Sequence, residues 1–241
     1  SEPDVVKIEA APFTINAEPF TLAQDSGGYF FYPAVSGTHV AYVGSQDYNP
    51  SQWEIFCADT QTGIFRTFKA GTVNTKPKID GSLVVWISGT GSYYNPICTS
   101  VYLADMATGD SMPLRRGTQT ESYGYPAVSG SKVVWLRHRD VETSNQTRYA
   151  EAVYDICGAD VTDRANPVYF TIAEEVGRGM PYPYDNDTEA HEGFVDICGD
   201  IVVWEADGDI YGADISDLSD IKIFPICTAP ERQYDPSVSG N

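Results

Sequence analysis

The chain has 241 residues and a mass of 26.4 kDa, enough for one domain of upper-middle size or two small ones. Apolar residues make up 42% and charged residues 20%, so a packed core is within reach and wholesale disorder is excluded. Fifteen Lys and Arg stand against 34 Asp and Glu, and the resulting net charge of -19 repels polyphosphate, so nucleic acid and anionic membrane are poor partners while cations are attracted.

From the N-terminus, Ser1-Glu-Pro-Asp4 has no charged-then-apolar signal segment, although it suits a mature end left after one was removed. Asp4-Val-Val-Lys-Ile-Glu9, Phe13-Thr-Ile-Asn16 and Phe20-Thr-Leu-Ala23 read as three short strands. From residue 30 onward one pattern recurs. Pro33-Ala-Val-Ser-Gly37 returns as Pro77-Lys-Ile-Asp-Gly81, Pro126-Ala-Val-Ser-Gly130, Val195-Asp-Ile-Cys-Gly199 and Pro236-Ser-Val-Ser-Gly240. The glycines lie 44, 49, 69 and 41 residues apart. Four copies continue into an apolar strand that ends in an aromatic residue: Val40-Ala-Tyr42, Val84-Val-Trp86, Val133-Val-Trp135 and Val202-Val-Trp204. A third run ends each time in Ala-Asp, at Asp59, Asp105, Asp160 and Asp214, and a fourth strand closes the unit, as in Ile64-Phe-Arg-Thr-Phe68.

Each unit therefore reads as four short strands, a to d, bounded by Gly, Asp and Asn turns. Thr171 to Val176 is the only brief helical candidate and is discounted. A four-stranded repeat of about 40 to 50 residues is the signature of a β-propeller. The pattern, over roughly residues 28 to 241, resembles the TolB-like or WD40-like propeller repeat. That resemblance implies an all-β fold of four-stranded antiparallel blades; it implies little about activity, because propellers host enzymes, lectins and scaffolds alike.

The expected architecture is one domain over 1–241, with blades at about 30–70, 75–117, 124–173 and 193–228. A fifth blade is expected to take strand a from 234–241 and its other strands from 4–25, so that Asp4, Val5 and Val6 meet Tyr234, Pro236 and Val238. Such closure hides sheet edges. The same ends could pair between copies to give a strand-exchanged polymer, and a longer propeller is the third possibility.

The repeated Trp86, Trp135, Trp204 and Tyr42 are expected to pack between blades, since repetition at every blade is what a core requires. The repeated aspartates are expected to fix turns by accepting backbone N–H bonds. Function is sought in the long b–c and d–a connections, which share one face: 44–53, 88–100, 137–149 and 174–192. They carry the ligand-binding candidates Tyr48, Trp53, Tyr93, Tyr94, Tyr182 and Tyr184, aromatic faces suited to glycan or peptide, though blade packing explains loop tyrosines equally well. Asp185, Asp187, Glu189 and Glu192 beside His191 form an acidic run that suits Ca²⁺ but lacks EF-hand spacing, and such runs are commonly only solvated. Asn145 and Asn186 match the N-glycosylation acceptor pattern.

No catalytic motif is present, and no catalytic residue is assigned; Arg137-His138-Arg139-Asp140 offers a base and charge partners, or a plain ion-pair cluster. Five cysteines without a C-x-x-C pair allow at most two internal disulfides, or none if all are buried. The first reading is a non-catalytic, exported module binding protein, glycan or copies of itself at the cell surface, with the periplasm as a second location. The others are a self-assembling structural protein and a carbohydrate-active hydrolase or lyase, the hydrolase needing two converging carboxylates. No membrane insertion is expected.

Overall fold

The computed structural model of the chain describes residues 28–45, 52–92, 95–139, 153–178 and 194–240, and of residues 91, 92, 95–98 and 178 only the backbone. Sixteen strands form four antiparallel four-stranded sheets, each ordered as in the chain. The first sheet holds β1 (Tyr29–Ser36), β2 (His39–Ser45), β3 (Glu54–Asp59) and β4 (Phe65–Phe68). The second holds β5 (Val73–Asp80), β6 (Leu83–Ser92), β7 (Asn95–Asp105) and β8 (Ser111–Arg115). The third holds β9 (Glu121–Ser129), β10 (Lys132–Arg139), β11 (Val153–Asp160) and β12 (Val168–Arg178). The fourth holds β13 (Val195–Cys198), β14 (Ile201–Ala206), β15 (Asp209–Asp214) and β16 (Lys222–Cys227). These are blades 1 to 4. Thr171 to Val176 lies inside β12, so the discounted helical reading gives way to strand.

Strand a is longer than the Pro-to-Gly core of the repeat suggests. The prolines do not open it; they sit inside it, at a bulge. Tyr32-Pro33, Lys76-Pro77 and Tyr125-Pro126 fall where the ladder skips, opposite Tyr42, Trp86 and Trp135 respectively. A proline has no N–H to give the ladder, so a bulge is one of the few interior places it fits. The residue before each proline is left-handed, with φ of 51° at Tyr32 and Lys76 and 50° at Tyr125. Blade 4 has Val195 in place of the proline, and its a–b ladder runs without a skip. The a–b turn is tight throughout: in blade 1 Ser36 pairs with His39, with Gly37 at φ 57° between them.

The core lies between blades. Ala41, Val43, Ile55 and Phe68 of blade 1 meet Ile79, Val84, Trp86 and Ala104 of blade 2. Val85, Val101 and Leu103, from the other face of blade 2, meet Val128, Val133, Trp135 and Ala159 of blade 3. Val134, Leu136, Tyr154 and Ile156 meet Ile197, Val202, Trp204 and Ala213 of blade 4. Each strand alternates faces, so successive residues serve the two neighbours. The three tryptophans at the end of strand b thus face the preceding blade, and truncating one to Ala would cost about 3–5 kcal/mol.

At the a–b turns the blades are tied by a second repeated device. The Gly81 amide donates to Ser36 Oγ (3.1 Å), the Gly130 amide to Asp80 (2.6 Å) and the Gly199 amide to Ser129 Oγ (2.9 Å). In each case the residue before the turn glycine of one blade holds the turn glycine of the next.

The segment 234–240 is not a ladder strand among the described residues, yet it has the form of strand a. Asp235 before Pro236 has φ 54°, and Gly240 has φ 83°. Cys198 Sγ donates to the Gly240 carbonyl at 3.4 Å, the next step of the same turn-to-turn series. Asp196 Oδ2 accepts from Ser237 Oγ (3.1 Å) and the Val238 amide (3.0 Å). The connection from β16 is held as well: the Gln233 amide donates to the Gly208 carbonyl (2.7 Å), and Arg232 binds Glu205 Oε1 at 2.9 Å.

Candidate functional site

Many of the residues singled out from the sequence lie outside the described residues: Tyr48, Tyr93, Tyr94, Tyr182, Tyr184, Asp185, Asp187, Glu189, Glu192, Asn145, Asn186, Asp4, Val5 and Val6. Of the aromatic ligand candidates, Trp53 alone is described, and it is not on a loop surface. It is 2% exposed in the core between blades 1 and 2, its ring 5.2 Å from that of Phe31. Its carbonyl accepts from Asn74 Nδ2 at 2.9 Å. Tyr234 is half exposed, while Pro236 and Val238 are partly buried on blade 4. Among the described residues no three His, Cys, Asp or Glu side chains gather as a metal would need.

The repeated aspartates hold turns. Oδ1 of Asp59, Asp105, Asp160 and Asp214 accepts from the amide two residues on, at 3.0, 2.8, 2.8 and 2.9 Å. Cys57, Cys157, Cys198 and Cys227 are free thiols, the first two buried. Burial pushes the Cys57 thiol up to about 12, so it is not a nucleophile at neutral pH.

The b–c connection of blade 2, expected as a loop over 88–100, is largely a hairpin extension, with Ser88 paired to Ser100 and Ser92 to Asn95. The b–c connection of blade 3 starts from a charged cluster. β10 places Arg137 and Arg139 on one face, two residues apart, and the register sets them against Asp155 of β11. Asp155 is fully buried. Its Oδ2 takes bonds from Arg137 Nε (2.9 Å) and Arg139 Nε (2.6 Å), and its Oδ1 from Arg139 Nη2 (3.0 Å) and the Glu175 amide (2.9 Å). Burial alone would raise the Asp155 pKa, but the bonds from Arg139, the Glu175 amide and Arg137 outweigh it and hold the carboxyl below its ordinary range. Of the Arg-His-Arg-Asp run, Arg137 and Arg139 are therefore engaged in ion pairs with Asp155, while Asp140 lies outside the described residues. The key acid, Asp155, was missed; an isolated Asp inside the apolar run of strand c was the available signal.

Beside this cluster a cavity of about 300 Å³ opens between blades 2 and 3. Arg115, the last residue of β8, lies with its guanidinium carbon 3.8 Å from the centre of the Tyr169 ring. The Tyr169 hydroxyl donates to the Leu114 carbonyl at 2.8 Å, which fixes that ring. β9 contributes Glu121 and Tyr123, whose hydroxyl donates to Glu121 Oε2 at 3.1 Å. Burial and the neighbouring Glu121 push the Tyr123 phenol up to about 12, so it stays protonated. β10 contributes Arg137 and the buried Trp135.

No protein-family model matches the chain, and no curated protein matches it. Among solved structures, an oligogalacturonate lyase in complex with manganese is similar at TM-score 0.51 and 11% identity, covering 85% of this chain and 55% of that one. A prolyl endopeptidase is similar at TM-score 0.51 and 12% identity, covering 86% of this chain and 30% of that one. The β-propeller domain of the trilobed protease from Pyrococcus furiosus aligns over 89% of this chain and 90% of that domain, at TM-score 0.33 and 12% identity. The chain thus spans about half of the first relative and under a third of the second. Four antiparallel four-stranded sheets, packed blade on blade in chain order, make this fold a β-propeller.

Proposed function

We propose that the chain is a non-catalytic, exported β-propeller that acts as a binding or assembly module at a cell surface. One observation carries the reading: segment 234–240, docked on blade 4 by Asp196 and Cys198, is set as strand a of a fifth blade. Residues 4–9, 13–16 and 20–23 supply strands b, c and d of that blade in this reading. Residues 24–28 then form the d–a connection into β1, five residues long. Of the corresponding connections, residues 69–72 between β4 and β5 and 116–120 between β8 and β9 are of similar length, while 179–194 between β12 and β13 is longer. A ring closed in this way is a rigid platform, and its variable loops present protein or glycan partners with aromatic and acidic side chains. The charge of -19 suits an exported, soluble surface and disfavours polyanions.

The same segment supports a second reading, in which 234–240 of one copy pairs with 4–9 of another and the protein self-assembles. Size analysis of the full chain and of a chain ending before Tyr234 separates the two. Closure within one chain predicts a full chain that is monomeric at all dilutions and a truncated chain that is less stable and associates. Strand exchange predicts the reverse: concentration-dependent oligomers of the full chain and a monomeric truncated form.

A further inference from the structure

The repeat changes at the boundary of blades 2 and 3, beside the cavity. In blade 2 the indole Nε1–H of Trp86 donates to Asn74 Oδ1 at 3.1 Å. Asn74 lies three residues before the bulge proline, fully buried, and also binds the Trp53 and Gly71 carbonyls. In blade 3 the matching position is Tyr123, and its hydroxyl is turned to Glu121 instead. The Nε1–H of the matching Trp135 is buried with no acceptor among the described residues, as is that of Trp204 in blade 4. A buried donor left without an acceptor is destabilising. In blade 4 the matching position is Glu192, outside the described residues.

Two cationic groups share the cavity with that indole. Arg115 has no carboxylate within ion-pair distance among the described residues; its partner is the Tyr169 ring. Arg137 shares the single carboxylate of Asp155 with Arg139, and only part of its five-donor fork is engaged by it. The cavity thus gathers donors without matching acceptors, in a chain whose overall charge is strongly negative. Opposite them, Glu121 is an acceptor, and the Tyr123 and Tyr169 rings supply apolar faces.

We propose that this cavity is a binding site for a carboxylate carried on a sugar ring, a uronic acid residue. Arg115 and Arg137 take the carboxylate, a geometry for which the guanidinium fork is suited. A ring hydroxyl donates to Glu121, and the Trp135 indole forms part of the cavity wall. The sugar's apolar face lies against tyrosine. A volume of about 300 Å³ is at the small end for ligand sites and suits a single sugar unit. The inference rests on the reading of the propeller as a binding module, and it does not depend on how the fifth blade is completed.

The test uses the full chain and D-glucuronate, with D-glucose and the glucuronate methyl ester as neutral controls and glutamate as a carboxylate without a sugar. Calorimetric titration should give glucuronate binding with Kd of about 1 mM, as one sugar unit allows, and no binding of the neutral controls at about 10 mM. Arg115→Ala should weaken binding about tenfold, and Arg115→Lys less; Arg115 is exposed, so neither change threatens the core. In ¹H–¹⁵N spectra the Trp135 indole signal, assigned with Trp135→Phe, should move on titration while that of Trp86 stays. Equal binding of glucose and glucuronate overturns the proposal, as does glutamate binding better than glucuronate. So does an Arg115→Ala variant of parental affinity, or a stationary Trp135 signal. Absence of binding by a monomeric full chain overturns this site alone, whereas binding by an oligomeric full chain overturns ring closure alone.

Discussion

At the scale of single residues, acidity is structural before it is functional. Asp59 is held down to about 2 by bonds from the Thr62 hydroxyl and the Gln61 amide. The Asp214 carboxyl is likewise lowered by the Ser216 amide and hydroxyl. At Asp105 and Asp160 burial acts in the opposite direction, but hydrogen bonds prevail and both are lowered. Asp155 behaves in the same way under its two arginines. In the unfolded chain all five return to about 3.9. A carboxyl lowered in the folded state contributes stability that is complete above the unfolded value and disappears as pH falls through the folded one. Urea midpoints should therefore be flat from about pH 7 to pH 5 and fall between about pH 4 and pH 2. Asp59→Ala should lower the neutral midpoint and make the acid fall shallower. Midpoint curves of variant and parent that run parallel down to the lowest pH would show that Asp59 contributes nothing to this linkage.

At the scale of the element, strand a carries its own strain. Lys76, with φ 51°, adopts a conformation that disfavours branched side chains, and it does so next to a proline. Its ammonium lies 4.3 Å from the centre of the Tyr125 ring, across the blade 2–blade 3 boundary. Lys76→Gly removes the strain and the cation–π contact together, so its melting temperature should stay close to the parent's, within about 1 kcal/mol of stability. Lys76→Val removes the contact and adds strain, so it should cost about 1–3 kcal/mol. Equal melting temperatures for the two variants would show that the bulge is not strained. This element also marks what sequence can and cannot reveal. Strand b was legible as a β-branched run with a terminal aromatic, strand c by its closing Ala-Asp, and the turn aspartates as Asx turns, because these signals are local. The bulge, the length of strand a and the β6–β7 extension were not, because they depend on which residues face each other across the ladder. The cavity was hidden for the same reason. Arg115, Tyr123, Trp135 and Tyr169 come from four strands and two blades, and no spacing announces their convergence. What could have been read is the substitution of Tyr123 for Asn74 at a fixed distance from the proline.

At the scale of the whole molecule, the repeat supplies an internal control for ring closure. Ile79, Val128 and Ile197 occupy one position of strand a in blades 2, 3 and 4, and they are 8%, 8% and 5% exposed. Val35 is the same position in blade 1 and is 71% exposed. Phe30 and Phe65 share that apolar surface, with the Phe30 ring 5.8 Å from Tyr42 and the Phe65 ring 5.9 Å from Phe56. On the far side of blade 4, Phe224 lies over Gly212 and Ile226 is half exposed. Equivalent surfaces elsewhere are covered by the next blade, and a single fifth blade inserted between blades 4 and 1 would cover both. Val35→Asp then reads the state of the ring directly. In a closed ring it buries a charge and should cost about 2–4 kcal/mol, as Val128→Asp should in blade 3. On an open face it should change stability by less than about 0.5 kcal/mol. The comparison is made in the monomer, at dilutions where no copy can cover the face for another. A Val35→Asp penalty that grows with protein concentration would instead assign the covering blade to a neighbouring chain.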